Sequence, residues 1–200
     1  MRRKTFDALV SGAGLLLAVV LIAAGGVLAW GSSFVASNVH SQLASQKIFF
    51  PPKAAFANAK PGSEITPSMI TTIEPYAGQQ LLTGPQARAY ADDFIAVHLS
   101  EMPYGGVYAT VSAQALANPT DTALKAEQAA VFQGTSLRSM LLNAYGWATI
   151  GTVAGIAAIG AFVAGGLMLL FAGLGFRHYR KVSPAKEIVL GSKTPAPLEV

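Results

Sequence analysis

Cysteine is missing from all 200 residues. Its absence excludes a disulfide framework, a thiol nucleophile and thiolate metal sites. Charge is nearly as scarce, at 12% of residues, and Asp, Glu, Lys and Arg are missing altogether from two stretches, Ala8 to Gln46 and Ser139 to Phe176. The second stretch holds thirty-eight residues, well beyond the roughly 20 that carry a helix across a hydrocarbon core. Also missing are a Gly-x-Ser-x-Gly elbow and a phosphate-cradling glycine loop, the usual marks of serine hydrolysis and nucleotide binding.

The residues that are present belong to a membrane composition: a mean hydropathy of +0.44 and 20 glycines. The formal charge of +4 divides unevenly along the chain. Residues 1–7 carry +2 from Arg2, Arg3 and Lys4 against Asp7. The end of the chain carries +3 from Arg177, Arg180, Lys181, Lys186 and Lys193 against Glu187 and Glu199, and the middle carries −1. Basic charge at both outer flanks of two spans is the positive-inside pattern, which predicts cytoplasmic termini in a cell membrane and an extracytoplasmic middle. No stripe of Lys and Arg interleaved with aromatics exists, so no nucleic-acid partner is expected.

The pattern predicts a mainly α fold: a two-helix transmembrane hairpin with extended helical stubs and a small helical extracytoplasmic domain. Residues 8–30 form the first span. Its uncharged run of 23 residues exceeds the roughly 7–15 of a cleavable signal peptide, although Val27-Leu28-Ala29 resembles a weak cleavage site. Residues 31–144 form the domain, with stubs over about 31–49 and 136–144. The first stub rests on Val35, Val39 and Leu43, which recur every four residues until Phe50-Pro51-Pro52 breaks the helix. Residues 145–174 form the second span, and 175–200 a cytoplasmic tail with no apolar period, expected to be disordered.

Within the domain, Lys53 to Leu82 reads as a partly ordered loop. Pro51, Pro52, Pro61, Pro67 and Pro75 argue against a long element, and Met69 to Ile73 could be a short strand. Thr83-Gly84-Pro85 opens a helix with threonine as N-cap, and Arg88 can pair with Asp92 on it. The helix stops near Met102-Pro103, before a turn at Gly105-Gly106. A short helix follows over Val107, Val111 and Leu116. Another covers Asp121 to Gln133 and is expected to end at Gly134, with Thr135 or Ser136 capping the last helix.

Small residues mark the spans. Gly151-xxx-Gly155 is a literal small-xxx-small motif, and Ala157, Ala161 and Gly165 repeat four-residue spacing on another face. The first span answers with Ala8-xxx-Gly12 and Gly14-xxx-Ala18. Small residues let helix backbones approach closely, so Gly12, Gly14, Ala18, Gly151, Gly155, Ala161 and Gly165 are the candidate helix-packing or partner interface. The two spans packing on each other is the leading expectation; a second copy or another membrane protein is the alternative. Neither span carries an ionisable group at its centre, so a pump or channel is not expected.

His40, His98 and His178 have no ligand spacing, and no metal or other cofactor is expected. Asp92, Asp93, Glu101 and His98 could form an exported hydrolase site. Adjacent helix positions point about 100° apart, however, so Asp92 and Asp93 read better as a solvated face. Phe49, Phe50, Tyr76, Tyr90 and Phe94 are candidates for contact with an apolar ligand.

MRRKTFDALVSGAGLLLAVVLIAAGG, the KIFFPP corner, QARAYADDFIAVHL and SLRSMLLNAYGWATIG together resemble a group of small actinobacterial two-pass membrane proteins of unknown function. The resemblance covers most of the chain and implies the same hairpin architecture. Some of that group carry an automatic label of aromatic ring-opening dioxygenase. Such an enzyme needs a clustered His/carboxylate iron site, and these residues supply no such cluster. The functional expectation is a non-enzymatic integral membrane protein, an accessory or scaffold subunit of a membrane or cell-envelope complex. Its partners would be the lipid bilayer and a membrane protein or a second copy. The alternative is an extracytoplasmic module that binds a lipid or a small apolar ligand.

Overall fold

The computed structural model describes residues 3–181, and the tail expected to be disordered lies, from residue 182 on, outside the described residues. The protein is mainly helical, with no strand among the described residues. Its helices are α1 (Arg3–Gln46), α2 (Lys53–Phe56), α3 (Ile70–Ile73), α4 (Gly84–Ala89), α5 (Ala96–Glu101), α6 (Tyr108–Ala117) and α7 (Thr122–Lys181). α1 has 44 residues and α7 has 60, and both are long and apolar enough to cross a membrane. The chain falls into two compact units, Met1–Trp30 with Ala154–Val200, and Gly31–Val153.

In the first unit, two helical segments pack antiparallel through small residues. Ala18, Ala158 and Ala172 are buried. Gly14 faces the Ala172 Cβ, with 3.8 Å between that atom and the position a Cβ at 14 would take. A Cβ at Gly25 would stand 3.1 Å from the Phe162 ring, and a side chain at Gly175 would fall on the Ser11 hydroxyl. Outward-facing Leu16, Val27, Ile156 and Ile159 are exposed. At the basic end, Lys4 Nζ sits 4.9 Å over the Tyr179 ring, and His178 Nε2 lies 3.8 Å from Asp7 Oδ2.

The second unit has its own core. Val39, Leu43, Phe50, Phe56, Ile65, Met69, Ile73, Leu81, Ala87, Ala91, Ile95 and Leu141 form one buried cluster. Each large side chain in it contributes roughly 1.5–3 kcal/mol of hydrophobic stabilisation. α1 stops where Lys47 turns left-handed (φ 52°) and Pro51-Pro52 follows. The chain then pairs with its own later segment: Phe50 N–H donates to the Gln79 carbonyl (2.9 Å), Leu81 N–H to Ile48 (2.9 Å) and Gly78 N–H to Pro51 (3.0 Å).

Residues 53–82 are more regular than a partly ordered loop. They form α2, a 3₁₀ turn at Pro67–Met69, α3 and a second 3₁₀ turn at Glu74–Tyr76. The prolines that forbid a long helix start short ones, because the first position of a helical turn needs no N–H donor. Met69 and Ile73, four apart and fully buried, share a helical face and are not a strand.

The helix opened by Thr83 carries a full capping box: Gln86 N–H donates to Thr83 Oγ1 (3.4 Å) and Thr83 N–H to Gln86 Oε1 (3.0 Å). α4 passes through a π-helical turn, Tyr90–Ile95, into α5. A turn at Pro103–Gly106 follows, where Gly106 (φ +63°) lies so close to the Leu99 carbonyl that no side chain fits.

Gly134 does not end a helix; α7 runs straight through it. Glycine in a helix interior costs about 1 kcal/mol against alanine, but here it opens a notch for Leu99. A Cβ at 134 would stand 2.9 Å from Leu99 Cδ2. Thr135 and Ser136 are therefore interior positions and not caps, and α7 starts at Thr122 with the Asp121 carboxylate accepting from Ala123 and Leu124 N–H. α6 meets this early part of α7 where Gln128 Nε2 donates to Ser112 Oγ (3.0 Å) and the Tyr108 and Phe132 ring centroids lie 5.6 Å apart; Val111, Ala115 and Val131 are buried.

Candidate functional site

Four of the five aromatic candidates for ligand contact pack on one another. Phe50 and Tyr76 have ring centroids 5.1 Å apart, Phe50 and Tyr90 5.4 Å, and Tyr90 and Phe94 4.7 Å. The stack continues to His98, 4.5 Å from Phe94. Phe50 belongs to the buried cluster and Tyr76, Tyr90 and Phe94 pack against it half-buried, so the stack is an extension of the core. Burial, with a smaller contribution from the charge of Glu64, raises the Tyr90 phenol above its ordinary value of 10.0. Phe49 is separate: it is 57% exposed and bridges to Gln80.

Two of the four titratable candidates, Asp92 and His98, are also engaged locally. Asp92 Oδ1 accepts from Arg138 Nη2 at 2.7 Å and Oδ2 lies 3.7 Å from Arg88 Nε, so the predicted pair with Arg88 is joined by a shorter ion pair from α7. Arg88 Nη1 also donates to the Tyr145 hydroxyl (3.1 Å) and lies over that ring. His98 Nδ1 is 2.7 Å from the Phe94 carbonyl oxygen, and Glu101 is exposed at the end of α5. Among the described residues, no three His, Asp or Glu side chains gather at one point.

The second unit has an open groove of about 640 Å³ between α1 and α7. Its α1 wall is Phe34, Asn38, Gln42 and Gln46, and its floor includes Val35, Val39, Leu43 and Leu141. The α7 wall carries Leu137, Ser139, Met140, Asn143, Ala144 and Trp147. At 1.5 Å per residue, positions 34–46 make it about 18 Å long. Its lining has no ionisable side chain. Met140 is 67% exposed and Trp147 54%. A neighbouring cleft of about 380 Å³, lined by Tyr108, Phe132, Thr135 and Ser136, shares Ser139 and Met140 with it. None of the aromatic candidates for ligand contact lines either cleft.

The small-residue candidates separate by unit. In the first, Gly14, Ala18 and Gly165 lie in the helix–helix contact: a Cβ at 165 would be 2.8 Å from Ile22 Cγ1 and 3.3 Å from the Ala18 carbonyl oxygen. Ala161 and Gly155 are half-buried. Gly12 differs, since a side chain there would meet open space. In the second unit, Gly151 packs on Val35, 3.1 Å from its Cγ1.

The buried small positions of α7 are Gly151, Ala158, Gly165 and Ala172, seven residues apart each time. Four-residue spacing drifts by about 40° per step around a helix and seven-residue spacing by about 20°, so the longer repeat keeps one face in register. Reading for that period finds Ala158 and Ala172, which the four-residue motifs miss. The groove itself carries a weaker signal. The apolar faces of its two walls are visible in sequence, but the gap between them is set by tertiary packing.

Protein-family models, curated proteins and solved structures offer no match to this chain.

Proposed function

We propose that the protein is a non-enzymatic integral membrane protein that acts as an accessory or scaffold subunit of a membrane or cell-envelope complex. α1 and α7 each cross the bilayer once, both termini are cytoplasmic and the second unit is extracytoplasmic. The basic flanks and the charge-free runs support this topology. Only 11% of each apolar window is buried within the chain, as suits helices whose outer faces meet lipid.

The observation that carries the scaffold reading is the uncharged groove. Met140 and Trp147 stay exposed at a formed concavity, the kind of surface that marks an interaction site. Purification in gentle detergent should bring a protein partner with it. A chain that comes alone, with no partner captured by crosslinking in native membranes, refutes the reading.

A second reading rests on the groove's size, about 640 Å³, which lies within the roughly 300–1,000 Å³ of small-molecule sites. On that reading the apolar ligand lies between α1 and α7 and not at Tyr76, Tyr90 and Phe94. A lipid or small molecule retained through purification and lost on Met140→Lys would favour it.

A further inference from the structure

We propose that the groove between α1 and α7 is closed by a second copy of this chain, face on face across a two-fold axis. The proposal rests on the reading of the groove as a protein-interaction surface, and it names the first partner bound there.

A two-fold contact sets one patch against itself, residue i on j and j on i, so a charge close to the axis faces its own kind. This lining has none, although the unit carries charged residues elsewhere, as at Asp92, Arg138 and Glu127. Its polar groups are mostly amides: Asn38, Gln42, Gln46 and Asn143. Each amide carries both donor and acceptor, so each can pair with its own copy without a separate complementary surface. Met140 is a knob standing between two clefts, which supplies both projection and hollow in one surface. A lipid chain fits this lining less well. Its methylenes would leave the amides of Gln42, Gln46 and Asn143 without partners, Asn38 already donating to the Phe34 carbonyl, and the lining offers no cation for an anionic headgroup.

The membrane fixes the geometry further. Two copies inserted the same way in one bilayer are related by rotation about its normal. α7 then runs parallel to its copy, and the residues closest to the axis meet their own counterparts. Met140 and Trp147, seven apart, repeat that meeting two turns along. The result is a four-helix arrangement of two α1–α7 pairs around the joined grooves.

A chain without cysteine allows a direct test. Met140→Cys and Trp147→Cys are introduced singly and oxidised in native membranes, with Leu116→Cys, 77% exposed on α6, as the control. The expected result is a disulfide-linked species of twice 20.7 kDa from positions 140 and 147 and none from 116. Independently, Asn143→Lys should lower co-purification of two differently tagged copies by about tenfold or more, and pairing it with Asn143→Glu should restore it.

No crosslink at either position, or a monomer carrying bound lipid in native mass spectrometry, overturns the proposal. So does an adduct of another protein's mass at position 140; that outcome leaves the scaffold reading intact. A dimer that captures nothing else supports the proposal while removing the scaffold reading.

Discussion

Gly84 and Ala148 approach so closely that a methyl group at 84 would collide with the Ala148 Cβ. This contact seats the start of α4 against α7. Gly84→Ala should destabilise the folded protein by about 1–3 kcal/mol, the usual cost of forcing an extra carbon into a packed contact. Ala148→Gly should recover more than half of that loss in the double variant, because the two sites share one space. Thermal unfolding of the four proteins in detergent provides the cycle; additive losses would show that the contact is not the cause.

A parallel contrast exists in the first unit. Gly165→Val forces carbons towards Ile22 and the Ala18 carbonyl, whereas Gly160→Val meets open space. The first should lower the unfolding temperature clearly and the second little, with about 1–3 kcal/mol separating them. Equal effects at both positions would mean that glycine content, and not position, matters.

Tyr90 predicts an alkaline limit. Its phenol is raised above 10.0, so the folded state favours the neutral form. Below about pH 10 the phenol is protonated in both folded and unfolded chains, and its contribution is intact. Above that, the unfolded chain ionises first, and stability falls as pH climbs through the raised folded value. Tyr90→Phe should remove this component, so that its melting temperature falls less than the parent's between pH 9 and 11 (a range of roughly two units around the ordinary phenol value). Parallel curves would contradict the assignment.

Topology is open to the same cysteine-free chemistry. Asn58→Cys should react with a membrane-impermeant maleimide on intact cells, and Ser192→Cys only after permeabilisation. The reverse pattern would invert the orientation read from the basic flanks.

The presence of two long helices, the stop of the first before Pro51-Pro52 and the helix opened at Thr83 were legible because each rests on a local pattern: charge-free length, a double proline, a threonine cap with a proline in the first turn. The contacts that use those helices were less so. Gly134 reads as a terminator by its own propensity, and only the presence of Leu99 beside it turns it into a packing notch. The aromatics of residues 50–94 read as ligand contacts because nothing in their spacing reveals that Phe50, Tyr76, Tyr90 and Phe94 meet one another. Likewise Met140 and Trp147 are apolar residues on an amphipathic helix, and their exposure depends on which face the domain core occupies.

The backbone pairing of residues 48–51 with 78–81 has a practical consequence. Three hydrogen bonds clasp the chain on both sides of residues 52–77, and the exposed bend at Lys60-Pro61-Gly62 lies within the clasped segment. A protease that nicks this bend leaves both new ends tied to the same core, so the cut chain should stay assembled and still migrate as one particle until denatured. For the same reason the bend is a permissive insertion point: doubling the length of a loop whose ends are already held together costs only about 0.6 kcal/mol. An epitope or fluorescent tag placed there would report on the domain without touching the groove.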